Sequence, residues 1–275
     1  MIKTTYVVQI DSDNRLSGSH TNFYHKIELP HEHFDRVAVL SASIPKTFYL
    51  VQDGSNTLTL TESATSATIT MTPANYNTRS FASILESKLS TQSPNGWTYT
   101  IAMPVEATEP STGKYTITVS GNSSQPSISF SSDSSLYRQL GFEPNSTNAF
   151  SANTLTSTHV VDFELASAVL ITSNLTNTKG STLQEIFVDN SFEYSRIGFQ
   201  NTCMPYNAKE LTSASLSSVH FSLTDTDGFL LNTNGHPINI SLVFFQHNPF
   251  YELASKDLIV KNAVAQMPEN NSNWA

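Results

Sequence analysis

The sequence predicts a mainly β protein, an antiparallel sandwich of two sheets with a small α+β module inserted into one loop. Apolar and polar residues alternate with a period of two along most of the chain, which is typical of half-buried strands. Only two segments have helical periodicity, and both lie in the first half of the chain. Charged residues make up 13% of the 275 residues and hydrophobic residues 38%, so we expect a folded core beneath a surface of hydroxyls and amides.

The alternation predicts strands in order along the chain. It is clearest at residues 57–61, 115–119 and 219–223, and further strands are expected at 23–29, at 36–44 and in at least five segments between 160 and 245. The last of these changes from alternation to a continuous apolar run at Leu242-Val243-Phe244-Phe245, which predicts a central strand covered on both faces. Asp227-Gly228 and Asn234-Gly235 before it predict a hairpin or a bulged loop.

Two helices and three strands predict a separate unit in the first half of the chain. Asn77 or Thr78 is the expected N-cap of the first helix, whose apolar face is Phe81, Ile84, Leu85 and Leu89 and which ends before 93–96. Strands are expected at 97–103, 114–120 and 127–131. A short helix then begins near Ser134, places Leu136 and Leu140 on one face and ends at Gly141.

These elements predict a split domain organisation. Residues 1–56 and 151–250 would form the sandwich, and 57–150 the inserted α+β domain, because a sandwich loop accepts an insertion without disturbing its core. Residues 251–275 end in a polar run and are expected to be a C-terminal arm.

Composition argues against several functions. A formal charge of -9 without a Lys/Arg cluster does not suit nucleic-acid binding, which needs cations against phosphate. Cys203 is the only cysteine, so an intramolecular disulfide is impossible and intracellular folding is favoured. Neither a signal peptide pattern nor a run of about 20 apolar residues occurs, so we expect neither export nor a membrane span.

Histidines near the N-terminus are the best candidate metal ligands. His31-Glu32-His33 places two imidazoles on one face of a strand, with His20 and His25 nearby. Cupin metalloenzymes use a similar His-x-His, but a Glu follows four or five residues later, where this chain has Val37 and Ala38. Solvated or interface histidines are the favoured interpretation, with His25 in the core beside Phe23 and Ile27, and no metal is expected.

Other candidate sites lack their partners. The segments 11–14 and 225–228 offer oxygens to calcium but lack the later ligands of a calcium loop, so turns are expected. Cys203 has no nucleophile motif around it and is expected to be a buried thiol. Neither a nucleophile elbow nor a P-loop occurs. The sequence therefore predicts no catalytic, cofactor-binding or metal residue, and no enzyme.

Several stretches together resemble the penton, or vertex, capsid proteins of virophages and polinton-like viruses. They are Asp11-Ser12 to Arg15, Phe23 to Ile27, Arg36 to Lys46, Asn75 to Thr78, Ser135 to Phe142, Ser173 to Leu175, and Gly235 to Ile238 with Leu242 and Phe244. The resemblance implies a single jelly roll with an outward-facing insertion. It also implies a homopentamer at icosahedral five-fold vertices, in contact with a double-jelly-roll major capsid protein, in a virion made inside the host cell.

Two alternatives remain at the level of sequence. A carbohydrate-binding or host-attachment sandwich would use Trp97, Tyr99 or Tyr115 as stacking platforms, although these rings could equally fill the core of the module. An enzyme on the same scaffold would need converging histidines and carboxylates. We also expect both termini, being polar, to dock on neighbouring capsid subunits, with Tyr251, Leu258, Ile259 and Val260 as apolar anchors.

Overall fold

Antiparallel strands account for most of the regular secondary structure in this computed structural model, which describes residues 5–30, 34–103, 111–176, 182–188, 194–212 and 216–246. In chain order the strands are β1 (Thr5–Asp11), β2 (Ser17–Gly18), β3 (Asn22–His25), β4 (Arg36–Pro45), β5 (Thr57–Glu62), β6 (Thr65–Thr70), β7 (Thr98–Ala102), β8 (Thr116–Ser120), β9 (Ser127–Ser129), β10 (Thr147–Ala149), β11 (Thr154–Thr156), β12 (Ala168–Ser173), β13 (Thr182–Phe187), β14 (Arg196–Gln200), β15 (Lys209–Glu210), β16 (Val219–Thr224) and β17 (Asn239–Phe245). The helices are α1 (Thr78–Thr91), α2 (Leu136–Leu140) and α3 (Met204–Asn207), and Ser12–Asn14 forms a 3-10 turn.

Eight of these strands form four nested pairs, in which the first strand of the eight pairs with the last. β1 pairs with β17, β3 with β16, β4 with β14, and β12 with β13, always antiparallel. The further pairs β17 with β4 and β12 with β16 join them into two sheets. Sheet A has the order β1-β17-β4-β14, with β15 also on β4, and sheet B has the order β13-β12-β16-β3-β2. This nested pairing is a jelly-roll sandwich, so the predicted fold class is confirmed.

The core of the sandwich comes from the inner faces of both sheets. Ile10, Ile44 and Phe244 of sheet A and Val169 and Phe221 of sheet B are among its buried residues. β17 lies in the middle of sheet A, and every residue from Ile240 to Phe245 is buried. The prediction of a central strand from its continuous apolar run is therefore confirmed.

The connection between β16 and β17 contains both turns that the sequence predicts. The chain reverses at 227–228, where Thr224 and Leu230 form an isolated antiparallel bridge, and the turn at 234–235 then leads to β17 in the other sheet. Asp225 closes the first turn by accepting the backbone N–H groups of Asp227 and Phe229 on its Oδ1 atom. Turn residues mark a change of direction, but they do not specify which strand comes next to which.

The helices and strands between β4 and β12 build a second core. Sheet C has the order β10-β9-β5-β6, and sheet D has the order β11-β8-β7. Asn77 caps α1 as predicted: its side chain accepts from the backbone N–H of Ser80, and the Ser80 side chain accepts from the backbone N–H of Asn77. The face of α1 that carries Phe81, Leu85 and Leu89 is buried against this core.

A buried carboxylate ties the end of α1 to sheet C. Glu62 is fully buried, and its carboxylate accepts from the Ser93 hydroxyl, the Asn95 backbone N–H and the Tyr99 hydroxyl at 2.7 to 2.9 Å. A carboxylate without water needs such donors, because burying it unsatisfied would be very costly. Glu62 is therefore a structural residue of the module.

The two cores occupy different parts of the chain. Core residues of the sandwich come from Ile10 to Phe48 and from Val169 to Phe244, whereas the second core extends from Val51 to Leu155. β11 pairs with β8, so sheet D reaches Thr156, a little beyond the predicted module. The boundaries at 56/57 and 150/151 stay predictions.

Two elements were not predicted from the sequence. Residues 5–11, where no strand was expected, form β1, in which Val8 and Ile10 turn inward while Thr5, Val7 and Gln9 face outward. An edge strand has only one neighbouring strand, so few of its side chains are fully buried and its sequence lacks a strong apolar pattern. The single turn α3, between β14 and β15, has too few residues to show a period.

Gly141 offers a test of the α2 terminus. It ends α2 at φ 70°, and a Cβ there would lie 2.3 Å from the backbone oxygen of His159. Gly96 has φ 73° with nothing within 4 Å of such a Cβ. We expect Gly96→Ala to lower the free energy of unfolding by about 1 kcal/mol and Gly141→Ala by about 3 kcal/mol or more, measured by urea denaturation. Equal losses would contradict the close contact at His159.

Candidate assembly surfaces

The candidate metal ligands His20 and His25 each bond to a different neighbour. The Nδ1 atom of His20 lies 3.0 Å from the Ser12 hydroxyl, and that of His25 lies 2.7 Å from the Lys26 backbone oxygen. His25 is half-buried, so its expected place in the core is wrong. His31 and His33 lie outside the described residues. Within the part of the chain that the structure describes, no three His, Cys, Asp or Glu side chains are grouped to hold a metal ion.

Both candidate calcium segments form turns, as expected. Asp11 accepts the backbone N–H of Asp13 and caps the 3-10 turn Ser12–Asn14. In the other segment, the Asp225 and Asp227 carboxylates both pair with Arg138. The carboxylates that could have bound a calcium ion are therefore neutralised by a guanidinium of the same chain.

Arg138 joins the two cores. It belongs to α2 of the module, and its Nη2 atom lies 3.0 Å from Asp225 Oδ2 in the loop between β16 and β17. Its guanidinium carbon also lies 5.1 Å from the centre of the Phe229 ring. Burial lowers the pKa of Arg138, but the bonds to Tyr137 and to the two carboxylates outweigh burial and raise it, so the side chain stays charged.

The three candidate platforms for a sugar are buried. Trp97, Tyr99 and Tyr115 belong to the core of the module, which confirms the interpretation that they fill it. Burial raises the pKa of both tyrosines, and the hydrogen bond from Tyr99 to Glu62 raises that of Tyr99 further. These rings have no exposed face on which a sugar could stack.

Cys203 is exposed, so the prediction of a buried thiol is wrong. It lies between β14 and α3, where its backbone N–H donates to Asn201 Oδ1 and its side chain points to solvent. Cysteine is usually buried, but a position in a loop between short elements overrides that preference.

The two sheets differ in how their edges are protected. Sheet B ends in β2, which has two residues, and in β13, whose pairing with β12 is broken by a register shift. Short edge strands and bulges are common means of preventing further pairing. Sheet A ends in β1 and β14, of seven and five residues, each in unbroken register with its neighbour. Among the described residues, no strand pairs with the outer side of either.

Exposed apolar side chains lie beside both edges of sheet A. Tyr6 and Val7 of β1 are 39% and 46% exposed, while Tyr194 just before β14 and Tyr206 of α3 are 67% and 87% exposed. Composition could not have revealed this arrangement, because it depends on which strands are neighbours. The available signal for β1 was its composition, since Tyr6, Val7, Val8 and Ile10 are aromatic or β-branched residues that favour strands.

The outer face of sheet A is lined by neutral hydrogen-bonded groups. The Ser41 hydroxyl donates to the Ser241 hydroxyl over 2.9 Å, and Ser241 donates to Gln9 Oε1 over 2.7 Å. Toward the other edge, Arg196 donates to the Ser43 hydroxyl over 2.7 Å. The rest of this face is apolar: Ala38, Val243 and Phe245 form a small buried cluster there, against which Met204 of α3 packs.

The pairing of the eight strands places the chain in the class of jelly-roll β-sandwich proteins. A solved structure of the mavirus penton protein is similar to it, with 12% sequence identity and a TM-score of 0.40, over 89% of this chain and 100% of that one. Similarity at this level carries no argument about function. No family model matches the chain, and no curated protein matches it. In the described residues, no helix is long and apolar enough to cross a membrane.

The joint at Arg138 can be tested against an exposed ion pair. The side chains of Arg138 and Asp225 are 19% and 6% exposed, so Arg138→Met leaves a nearly buried carboxylate without its cation. We expect a loss of about 2–4 kcal/mol in the free energy of unfolding. Lys26, paired with Glu28 in solvent, is the control: Lys26→Met should change it by less than about 1 kcal/mol. Similar losses in both variants, measured by urea denaturation, would argue against the joint.

Proposed function

We propose that this chain is a structural capsid protein, a penton subunit that forms homopentamers at the five-fold vertices of an icosahedral virion. In this proposal it contacts a double-jelly-roll major capsid protein, has no catalytic role, and is made inside the host cell before entering the virion. The ordered motifs that resemble penton proteins support it. The jelly-roll sandwich is compatible with it.

The observation that carries the proposal is the pair of edge strands of sheet A, β1 and β14, each in unbroken register with its neighbour and each beside exposed aromatic or aliphatic side chains. Proteins that remain alone protect such edges, because an exposed strand pairs readily with another chain. Among the described strands, sheet B is protected by a very short edge strand and a register shift, whereas sheet A has neither at its edges. A subunit whose edges and neutral faces are covered by neighbours accounts for this difference.

The module between β4 and β12 is proposed to face outward from the capsid. β4 ends at Pro45 and β12 begins at Ala168, so both connections leave the same end of the sandwich. Antiparallel neighbours in a jelly roll turn at two opposite ends, and an insertion at one end leaves the sheets available to neighbouring subunits. We retain 57–150 as the inserted domain, with 1–56 and 151–250 as the sandwich.

The alternative of a carbohydrate-binding sandwich has less support. Its three candidate platforms, Trp97, Tyr99 and Tyr115, are held inside the module. A ring that stacks on a sugar must present one face to solvent, whereas these rings contribute to a core.

Native mass spectrometry of the purified chain, followed by imaging of particles assembled with the major capsid protein, tests the proposal. We expect a species of five copies, and density for the chain at the five-fold vertices. A chain that stays monomeric and never enters particles would contradict the capsid function.

The C-terminal arm provides a second test. We expect a chain without residues 252–275 to keep its thermal unfolding midpoint within a few degrees, because the strands that carry both described cores end at Phe245. Its incorporation into particles should fall strongly, because the apolar anchors for neighbouring subunits are lost. Quantifying the subunit in purified particles measures this, and normal incorporation would refute the docking role of the arm.

A further inference from the structure

We propose that sheet A continues from one copy of this chain to the next, with the β1 edge of one copy pairing with the β14 edge of its neighbour. This inference rests on the proposed function as a ring-forming subunit, and it names the contact that would hold the ring together. The partner is a second copy of the chain.

The backbone of β1 has groups available for this pairing. The N–H of Ser12 donates to the Ile238 backbone oxygen, in register with the β1–β17 ladder. Hydrogen-bonded and non-hydrogen-bonded pairs alternate in an antiparallel ladder, so Ile10, Val8 and Tyr6 bond to β17. The N–H and C=O groups of Val7 and Gln9 therefore point away from β17, toward the outer side of the sheet.

The same reasoning applies to β14. The Asn201 N–H donates to the Leu40 backbone oxygen, in register with the β14–β4 ladder. Phe199 and Ile197 consequently bond to β4, and the backbone groups of Arg196, Gly198 and Gln200 point outward. A Cβ on Gly198 would have nothing within 4 Å, so a side chain can be introduced there without a clash inside the same copy.

The direction and the charge of the two edges are complementary. Successive strands of sheet A are antiparallel, so β1 and β14, first and fourth in the order, run in opposite directions. Joining them across two copies therefore continues the antiparallel ladder. This pairing brings the end of β1, at Asp11, near the start of β14, at Arg196, so a carboxylate approaches a guanidinium.

A contact between different edges is heterologous, and every copy has one of each. Such a contact repeats from copy to copy, and it forms a ring when the rotation between copies closes. A contact between two β1 edges would instead stop at a dimer. Pairing of a β1 edge with a β14 edge is therefore compatible with a closed ring of five copies.

Disulfide trapping tests this arrangement, in a chain carrying Cys203→Ser to remove the exposed thiol. One chain carries Val7→Cys and a second carries Arg196→Cys, Gly198→Cys or Gln200→Cys in turn, so that neighbouring registers are covered. Within one copy these edges are three strand spacings of about 4.8 Å apart, too far for a disulfide. We expect disulfide-linked dimers from mixtures of the two chains after copper-catalysed air oxidation, and few from either chain alone.

Proline variants provide a second measurement. Val7→Pro and Gly198→Pro remove no hydrogen bond within the chain, since these N–H groups point outward, but they block an added strand. We expect each to raise the dissociation constant of the oligomer about tenfold or more. Val7→Thr, which keeps the branched side chain and the N–H, is the matched control and should leave the constant within about threefold.

The outcomes separate this inference from the proposed function. A pentamer that forms no disulfides between the two chains, or that tolerates both proline variants, overturns the pairing of edges while the capsid function stands. Linkage of Val7→Cys to itself overturns it in favour of a contact between β1 edges. A Val7→Pro variant that fails to fold, when Val7→Thr folds, indicates that the Val7 N–H is bonded within its own copy, which also overturns the inference.

Discussion

The structure depends on the position of β17 between β1 and β4. This strand is buried on both faces, and it joins segments that are far apart in the chain, as the hydrogen bond between Ser41 and Ser241, 200 residues apart, illustrates. Sheet A is therefore incomplete until the last described strand is in place. The entropy of closing a loop grows only slowly with its length, so a long insertion between β4 and β12 adds little to the cost of this pairing.

A second constraint is that two buried carboxylates in the described part of the chain are fully engaged within it. The Glu62 carboxylate is satisfied by Ser93, Asn95 and Tyr99, and the Asp225 carboxylate by Arg138 and two backbone N–H groups. Such fully bonded polar groups specify one packing arrangement, because breaking any one bond leaves a buried donor or acceptor without a partner. They hold the module together and attach it to the sandwich.

Local signals predicted the elements whose causes are local. Asn77 and Gly141 mark helix ends because capping needs only a few neighbouring residues, and the apolar run at 242–245 marks a central strand. The sequence did not reveal β1 as a strand, nor the exposure of Cys203. Both depend on neighbours far away in the chain: β1 is an edge strand of β17, and Cys203 lies in a loop held by Asn201. The assembly surfaces were unpredictable for the same reason, since an edge exists only once the order of the strands is known.

Under the proposed assembly, the low charge of the chain and the edges of sheet A, which no described strand covers, both serve the pairing of one copy with the next. β1 carries neither Lys nor Pro, the residues that commonly prevent an edge from pairing, and its outer flank is mostly neutral. Such an edge would be a hazard in a monomer, because any extended segment could add to it. In a ring, the edge has one preferred partner, selected by strand direction and by Asp11 and Arg196 at the joining ends. Additional charges along the edge would have to be desolvated in every contact, so a flank of hydroxyls and amides keeps the desolvation cost of each contact low.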